Sequence, residues 1–84
     1  MARQIYTEAQ ANEYIREMAH THQAYYDRDM DALLEIGEAD MDTILEGYLW
    51  NAICTDMGEM DEDTEEVLSC AIVDFYIDMV ECDE

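Results

Sequence analysis

Helix formation is most clearly encoded in residues 7–26, TEAQANEYIREMAHTHQAYY. Thr7 and Gln10 have the spacing of a capping box, in which each side chain bonds the backbone N–H of the other residue. Apolar side chains then recur at spacings of three and four, at Ala11, Tyr14, Ile15, Met18, His22, Tyr25 and Tyr26. This periodicity predicts one helix with a single buried face that continues to about residue 26.

A second, shorter helix is predicted after this stretch. Asp29 is placed to cap it and Gly37 is placed to end it. Its inward-facing residues are Met30, Leu33 and Leu34.

The third predicted helix runs from a cap at Asp40 to a stop at Gly58. Its apolar positions are Met41, Ile44, Leu45, Tyr48, Leu49, Ala52, Ile53 and Met57. Gly47 lies inside this pattern, where it costs about 1 kcal/mol relative to alanine. We therefore expect either a close helix contact or a break at Gly47.

The acidic stretch from Glu59 to Glu66 is predicted to be a loop that leads into a last helix, capped by Asp61 or Asp63. That helix carries Val67, Leu68, Ala71, Ile72, Phe75, Met79 and Val80, and its apolar face is widened by Cys70, Val73, Tyr76 and Ile77. So apolar a helix is either the centre of the bundle or part of a homodimer seam. The patterns together predict an all-α fold, a small bundle of three long helices and one short helix, in a single domain over residues 1–84.

The net negative charge is the most unusual feature of the composition. The chain holds 23 Asp and Glu, three Arg and no Lys, for a formal net charge of −20, while half of its residues are hydrophobic. Ordinary small domains carry a net charge of about 2–8 in magnitude. The chain is apolar enough to fold, and its surface is expected to repel nucleic acid and anionic membranes and to attract basic grooves on proteins.

Cysteines, histidines and the chain start give no sign of a membrane, metal or catalytic role. No signal peptide or long apolar run is visible, so we expect a cytoplasmic protein. Cys54, Cys70 and Cys82 have no CxxC spacing and are expected to be reduced, partly buried thiols. His20 and His22 are two residues apart and cannot form an i, i+4 ligand pair, and His22 is expected in the core. With no phosphate loop, nucleophile motif or lysine, we expect neither an enzyme nor a cofactor.

Residues 27–38, DRDMDALLEIGE, resemble the calcium loop of EF-hand proteins. The resemblance implies ligands at Asp27, Asp29, Asp31 and Glu38. However, Ala32 stands where that family needs glycine for a sharp turn, and no second, paired loop is present. A helix cap followed by an acidic turn is therefore favoured over a calcium site.

Acidic residues recur at helical spacing even though this spacing destabilises helices. It relates Asp74, Asp78 and Glu81 on the last helix, Asp42 and Glu46 on the third, and Glu13 and Glu17 on the first. Side chains so spaced have Cβ atoms about 5–6 Å apart, and each like-charge pair costs about 0.2–0.5 kcal/mol. That separation approaches the spacing of successive phosphates, which exceeds the rise of about 3.4 Å per nucleotide. Asp83 and Glu84 add negative charge at the carboxyl end of a helix, where the helix dipole disfavours it. Acidic residues are thus repeatedly placed where they destabilise helices, and such consistent exceptions indicate a functional role.

In acidity, size and helical presentation the chain resembles the acidic DNA-mimic proteins that phages and mobile elements use against host defences. The resemblance implies an inhibitor that occupies the basic DNA- or RNA-binding groove of a CRISPR–Cas effector or a restriction enzyme in an infected cell. The candidate partner-binding residues are Asp42, Glu46, Glu62, Asp63, Glu66, Asp74, Asp78 and Glu81.

Two other interpretations stay open. An acidic adaptor would dock on a basic protein patch through aromatic anchors, for which Trp50 and Tyr76 are candidates because they fall outside the main apolar stripes. Peripheral core positions are the alternative for both residues. A highly solvated surface for solubility or for life in high salt would also explain the acid content.

Overall fold

Five α-helices make up the chain in the computed structural model, which describes residues 7–82. They are α1 (Glu8–Thr21), α2 (Gln23–Ile36), α3 (Met41–Leu45), α4 (Tyr48–Met57) and α5 (Glu62–Cys82). The all-α prediction is confirmed, but the helix count and several boundaries differ from those predicted. Asp83 and Glu84 lie outside the described residues.

The first helix begins as predicted and ends earlier. Thr7 Oγ1 accepts a hydrogen bond from the Gln10 N–H at 3.2 Å, and Gln10 Oε1 accepts from the Thr7 N–H at 3.1 Å. The chain leaves the helical conformation at His22 (φ −113°, ψ 51°), and α2 starts at the next residue. An unbroken helix over residues 7–36 would be about 45 Å long, longer than the 36 Å bundle. The single-residue break lets α2 turn back and pack against α1.

A second break divides the predicted third helix into α3 and α4. Asp40 caps α3 as predicted, since its Oδ2 accepts from the Thr43 N–H at 3.1 Å. The helix stops at Leu45, and Gly47 becomes the N-cap of α4, where it supplies no side-chain oxygen.

Asp29 supplies the missing cap from another helix. It lies in the middle of α2 and is buried, so the prediction that it begins its own helix is wrong. Its Oδ1 accepts from the Tyr48 N–H and its Oδ2 from the Leu49 N–H, both at 3.0 Å. A Cβ on Gly47 would lie 2.7–2.8 Å from the Asp29 carboxylate atoms. Both expectations for Gly47, a break and a close helix contact, are therefore met at once.

Tyr76 of α5 completes this polar contact. Its hydroxyl donates to Asp29 Oδ2 at 3.1 Å, and the residue is fully buried. Burial, and then the negative charge and hydrogen bond of Asp29, raise the pKa of the Tyr76 phenol far above its ordinary value. Tyr76 is thus a core residue that ties α5 to α2, and the suggestion that it is an exposed anchor is wrong.

The last helix begins four residues before the end of the predicted acidic loop. Asp61 caps it, with Oδ1 accepting from the Thr64 N–H at 2.8 Å. Hydrogen bonds from the Thr64 side chain and backbone hold the pKa of Asp61 below its usual range. Glu62 and Asp63 fall in the first turn, where the positive end of the helix dipole favours acids, so the stretch is helical.

One hydrophobic core joins all five helices. α5 packs against α1, α2 and α3, which places it at the centre of the bundle. Fully buried side chains come from every helix, as Ile15, Leu33, Ile44, Leu49, Ile53, Leu68, Ile72 and Tyr76 show. Several predicted core positions are wrong, because His22 is only half-buried and five others are exposed, namely Tyr25, Leu34, Met41, Tyr48 and Cys70. Within residues 7–82, no helix combines the length and the apolarity that crossing a bilayer requires.

Candidate functional site

Nearly all of the negative charge lies on the surface. Residues 7–82 hold 21 Asp and Glu against Arg16 and Arg28, which gives this part of the chain a net charge of −19. Asp29 alone among these acids is buried, Asp40 is half-buried, and the other carboxylates are exposed. The core therefore serves as a scaffold that fixes a dense array of exposed carboxylates.

Two of the predicted residues share a groove between α1 and α5. Asp74 and Asp78 line this hollow of about 340 Å³ together with Glu8 and Arg16 of α1. The two aspartates are four residues apart on α5, so their side chains project in the same direction. One guanidinium among three carboxylates leaves the groove acidic.

A second acidic hollow, the α2–α3 groove, holds residues for which the sequence predicts a different role or none. Asp31 and Glu35 of α2 line it with Glu46, in a volume of about 630 Å³. Asp27, Asp31 and Glu35 are exposed and four residues apart along α2, so they form an acidic ridge. Glu35 was missed because the segment resembled a calcium loop, although the four-residue spacing was visible in the sequence.

The remaining predicted residues lie elsewhere on the surface. Glu62 and Asp63 are in the first turn of α5, Glu66 is one turn later, Glu81 is in its last turn, and Asp42 is exposed on α3. Asp74 and Asp78 thus line the same groove, whereas Glu46 lines the other groove together with Asp31 and Glu35 of α2. The eight residues do not make a single acidic surface.

The segment that resembles a calcium loop is mostly helical. Residues 27–36 are part of the continuous helix α2 rather than a loop, so Asp27, Asp29 and Asp31 cannot converge on one ion. The Asp29 carboxylate is occupied by three protein donors. Over the described range 7–82, no group of three or more His, Cys, Asp or Glu side chains could hold a metal ion.

A row of stacked aromatic rings borders a hollow that has few charged lining residues. The His22 and Tyr25 rings stack with centroids 5.3 Å apart, and the Tyr25 and Tyr48 rings follow at 5.9 Å. Tyr25 is 43% exposed and Tyr48 is 48% exposed. The guanidinium carbon of Arg28 lies 5.0 Å from the Tyr48 ring centroid, within cation–π distance. We call His22, Tyr25 and Tyr48 the aromatic row.

The aromatic row borders a shallow hollow of about 380 Å³. Asn51 and Thr55 of α4 line it, and among the described residues Asp56 is its one acidic lining residue. Asp56 Oδ2 accepts a hydrogen bond from the Tyr14 hydroxyl at 2.5 Å. Trp50, the other anchor suggested by the sequence, is half-buried and packs against the core, so the exposed tyrosines are better placed for contact.

Comparison of the chain with protein-family models, with curated proteins and with solved structures gave no match. The interpretation of these surfaces therefore depends on their own geometry and charge.

Proposed function

We propose that the protein is a nucleic-acid mimic that occupies the basic DNA- or RNA-binding groove of a host defence protein, such as a CRISPR–Cas effector or a restriction enzyme. Its carboxylates take the place of phosphates, and its helices take the place of the sugar–phosphate backbone. The proposal needs no catalytic group and no cofactor on the inhibitor.

The charge density of the molecule is the observation that carries this proposal. The described part of the chain spreads its net charge of −19 along a long axis of 36 Å. That is one net negative charge per roughly 1.9 Å, and duplex DNA carries one per about 1.7 Å of helix axis. A groove lined with Lys and Arg for DNA would therefore meet a similar charge over a similar length.

Rigid display of the carboxylates supports the same function. Acids on packed helices keep their spacing, so little conformational entropy is lost when cations bind them. Neighbouring carboxylates at i, i+4 repel each other within the free protein, and a basic partner relieves that repulsion. Attraction between opposite fields also accelerates encounter, and this acceleration falls as salt is added.

A pair of matched variants tests the proposal. One replaces Asp74, Asp78 and Glu81 on α5 by Asn, Asn and Gln, and the other makes the corresponding neutral changes at Asp31, Glu35 and Glu46 around the α2–α3 groove. Each removes three negative charges, so the two variants differ in the position of the lost charge and not in its amount. Immobilised wild-type and variant proteins are used to capture cationic proteins from a bacterial lysate at low salt, and duplex DNA or guide RNA is added as competitor.

If the protein is a nucleic-acid mimic, the polynucleotide and added salt should both release the captured protein, and at least one triple variant should capture it less well. An adaptor that binds a basic patch outside a nucleic-acid groove predicts retention in the presence of the polynucleotide. Retention by both triple variants at wild-type strength would refute the proposal, because the exposed carboxylates would then contribute nothing to binding.

A further inference from the structure

The aromatic row has a geometry that core packing does not require. The His22 and Tyr25 planes are 7° apart and the Tyr25 and Tyr48 planes are 30° apart, so the three rings stack in series. Both tyrosines are nevertheless more than two-fifths exposed. Arg28 lies over the Tyr48 ring, which shows that a guanidinium can be accommodated against this ring in the free protein.

Tyr48 also joins the aromatic row to the acidic ridge. It lines the charge-poor hollow with Asn51 and Thr55, and it lines the α2–α3 groove with Asp31 and Glu35. Stacked rings therefore lie beside several carboxylates, in a groove that Arg28 also lines. A single polynucleotide strand presents the same combination, with flat bases on one side and negative charges on the other.

We propose that this surface fits a partner that binds single-stranded nucleic acid, through cationic side chains next to aromatic or arginine side chains that stack on bases. The inference rests on the proposed function and specifies the class of target. Proteins of this class combine a basic groove that tracks the backbone with rings on which bases stack. The rings of Tyr25 and Tyr48 take the place of the bases, and Asp31, Glu35 and Glu46 take the place of the phosphates.

A duplex-binding groove matches the overall charge density of the protein, but it does not complement the aromatic row equally well. Duplex DNA keeps its base faces inside the stack and presents only base edges and phosphates to a protein. A mimic of a duplex gains nothing from exposed aromatic rings. A mimic of a single strand gains a stacking contact where a side chain of the partner takes the place of Arg28 on the Tyr48 ring.

The test uses a defined probe that contains the two required chemical features. The tripeptide Lys-Trp-Lys, with its termini blocked, carries two cations around one stacking ring, and Lys-Ala-Lys carries the same charge without the ring. Each peptide is titrated into the full chain, and NMR follows the ring signals of Tyr25 and Tyr48. We expect Lys-Trp-Lys to bind about 10-fold more tightly than Lys-Ala-Lys, the lower part of the range for stacking one base on an aromatic side chain.

The Tyr25→Ala, Tyr48→Ala double variant should bind the two peptides equally. The backbone N–H of residue 48 still donates to Asp29 in this variant, so α4 keeps its cap. Met41→Ala is the matched control, because Met41 is 57% exposed and lies outside the row. It should leave the preference for Lys-Trp-Lys unchanged.

Three results would overturn the inference. They are equal affinity of the wild-type chain for both peptides, a preference that survives in the double tyrosine variant, and ring signals that shift with protein concentration before peptide is added. The last would show that a second copy of the chain covers the row. These results leave the capture experiment with the acidic triple variants unaffected, so failure of this inference is distinguishable from failure of the mimic function.

Discussion

Replacing Gly47 by alanine has two opposing effects on stability. The unfolded chain becomes less flexible, which favours folding, and the added Cβ enters a crowded position at the start of α4. On propensity alone, the change removes a flexible residue and stabilises the protein by about 0.4–1 kcal/mol. Gly47 has φ −75° and ψ 171°, a backbone conformation that alanine adopts without strain. The effect of the added Cβ on stability therefore depends on the atoms that surround it.

The new Cβ meets the Asp29 carboxylate, with its nearest atom 2.7 Å away. Asp29 would have to turn aside and release its bonds to the Tyr48 and Leu49 N–H groups and to the Tyr76 hydroxyl. Loss of a helix cap costs about 1 kcal/mol, and a buried hydroxyl left without a partner costs about 1–3 kcal/mol. We expect Gly47→Ala to destabilise the protein by about 2–3 kcal/mol and to lower Tm by about 10–20 °C.

Urea unfolding followed by far-UV circular dichroism measures this change, and a double-mutant cycle with Asp29→Ala identifies its cause. Asp29→Ala alone should cost about 3 kcal/mol, because the same bonds are lost. In that background the Gly47→Ala change should cost nothing or stabilise slightly, since the carboxylate is gone. Unfolding of Gly47→Ala at or above the wild-type urea midpoint would refute the reasoning, as would equal costs of the change in both backgrounds.

Two further predictions follow from the raised pKa values. The Tyr76 pKa is raised in the folded state, so its contribution to stability is fully present below the unfolded pKa of about 10 and is lost as pH rises above that value. The urea midpoint should therefore fall as pH rises above about 10, and Tyr76→Phe should make that fall shallower. Burial, and then the charge of Glu65, raise the pKa of the Cys54 thiol, and Cys54 is half-buried, whereas Cys70 and Cys82 are exposed. Mass spectrometry after brief iodoacetamide treatment should therefore show Cys54 to be alkylated last, and a Cys54 that reacts as fast as the other two would contradict the assignment.

Local signals in the sequence were enough to predict most of the helical framework. The Thr7 and Gln10 capping box, the Asp40 cap and the stops at Gly37 and Gly58 all lie where their chemistry indicated. These features depend on residues within four positions of each other. The apolar periodicity likewise identified most of the residues that are buried.

Interactions between helices could not be predicted in the same way. Asp29 has the sequence context of a cap for the residues that follow it, and in the structure it caps a helix that begins 19 residues later. The apolar stripe of α1 continues through His22 into Tyr25, although the chain turns between them. Periodicity fixes which residues share a face and carries no information on where a helix must turn to stay within the bundle.

The candidate surfaces were predicted only in part for a related reason. Spacing along α5 correctly paired Asp74 with Asp78, but it could not show that Glu46 lies across a groove from Asp31. Tyr48 is exposed and Tyr76 is buried because of the way in which α4 and α5 are rotated about their axes. That rotation is set by packing over the whole core.

The buried Asp29 contact has a consequence for the α2–α3 groove as well as for stability. Asp29 holds α2 against the start of α4, so it fixes the position of the groove wall that carries Asp31 relative to the chain that follows Glu46. A carboxylate inside the protein thus helps to set the arrangement of carboxylates on its surface, although it is itself buried.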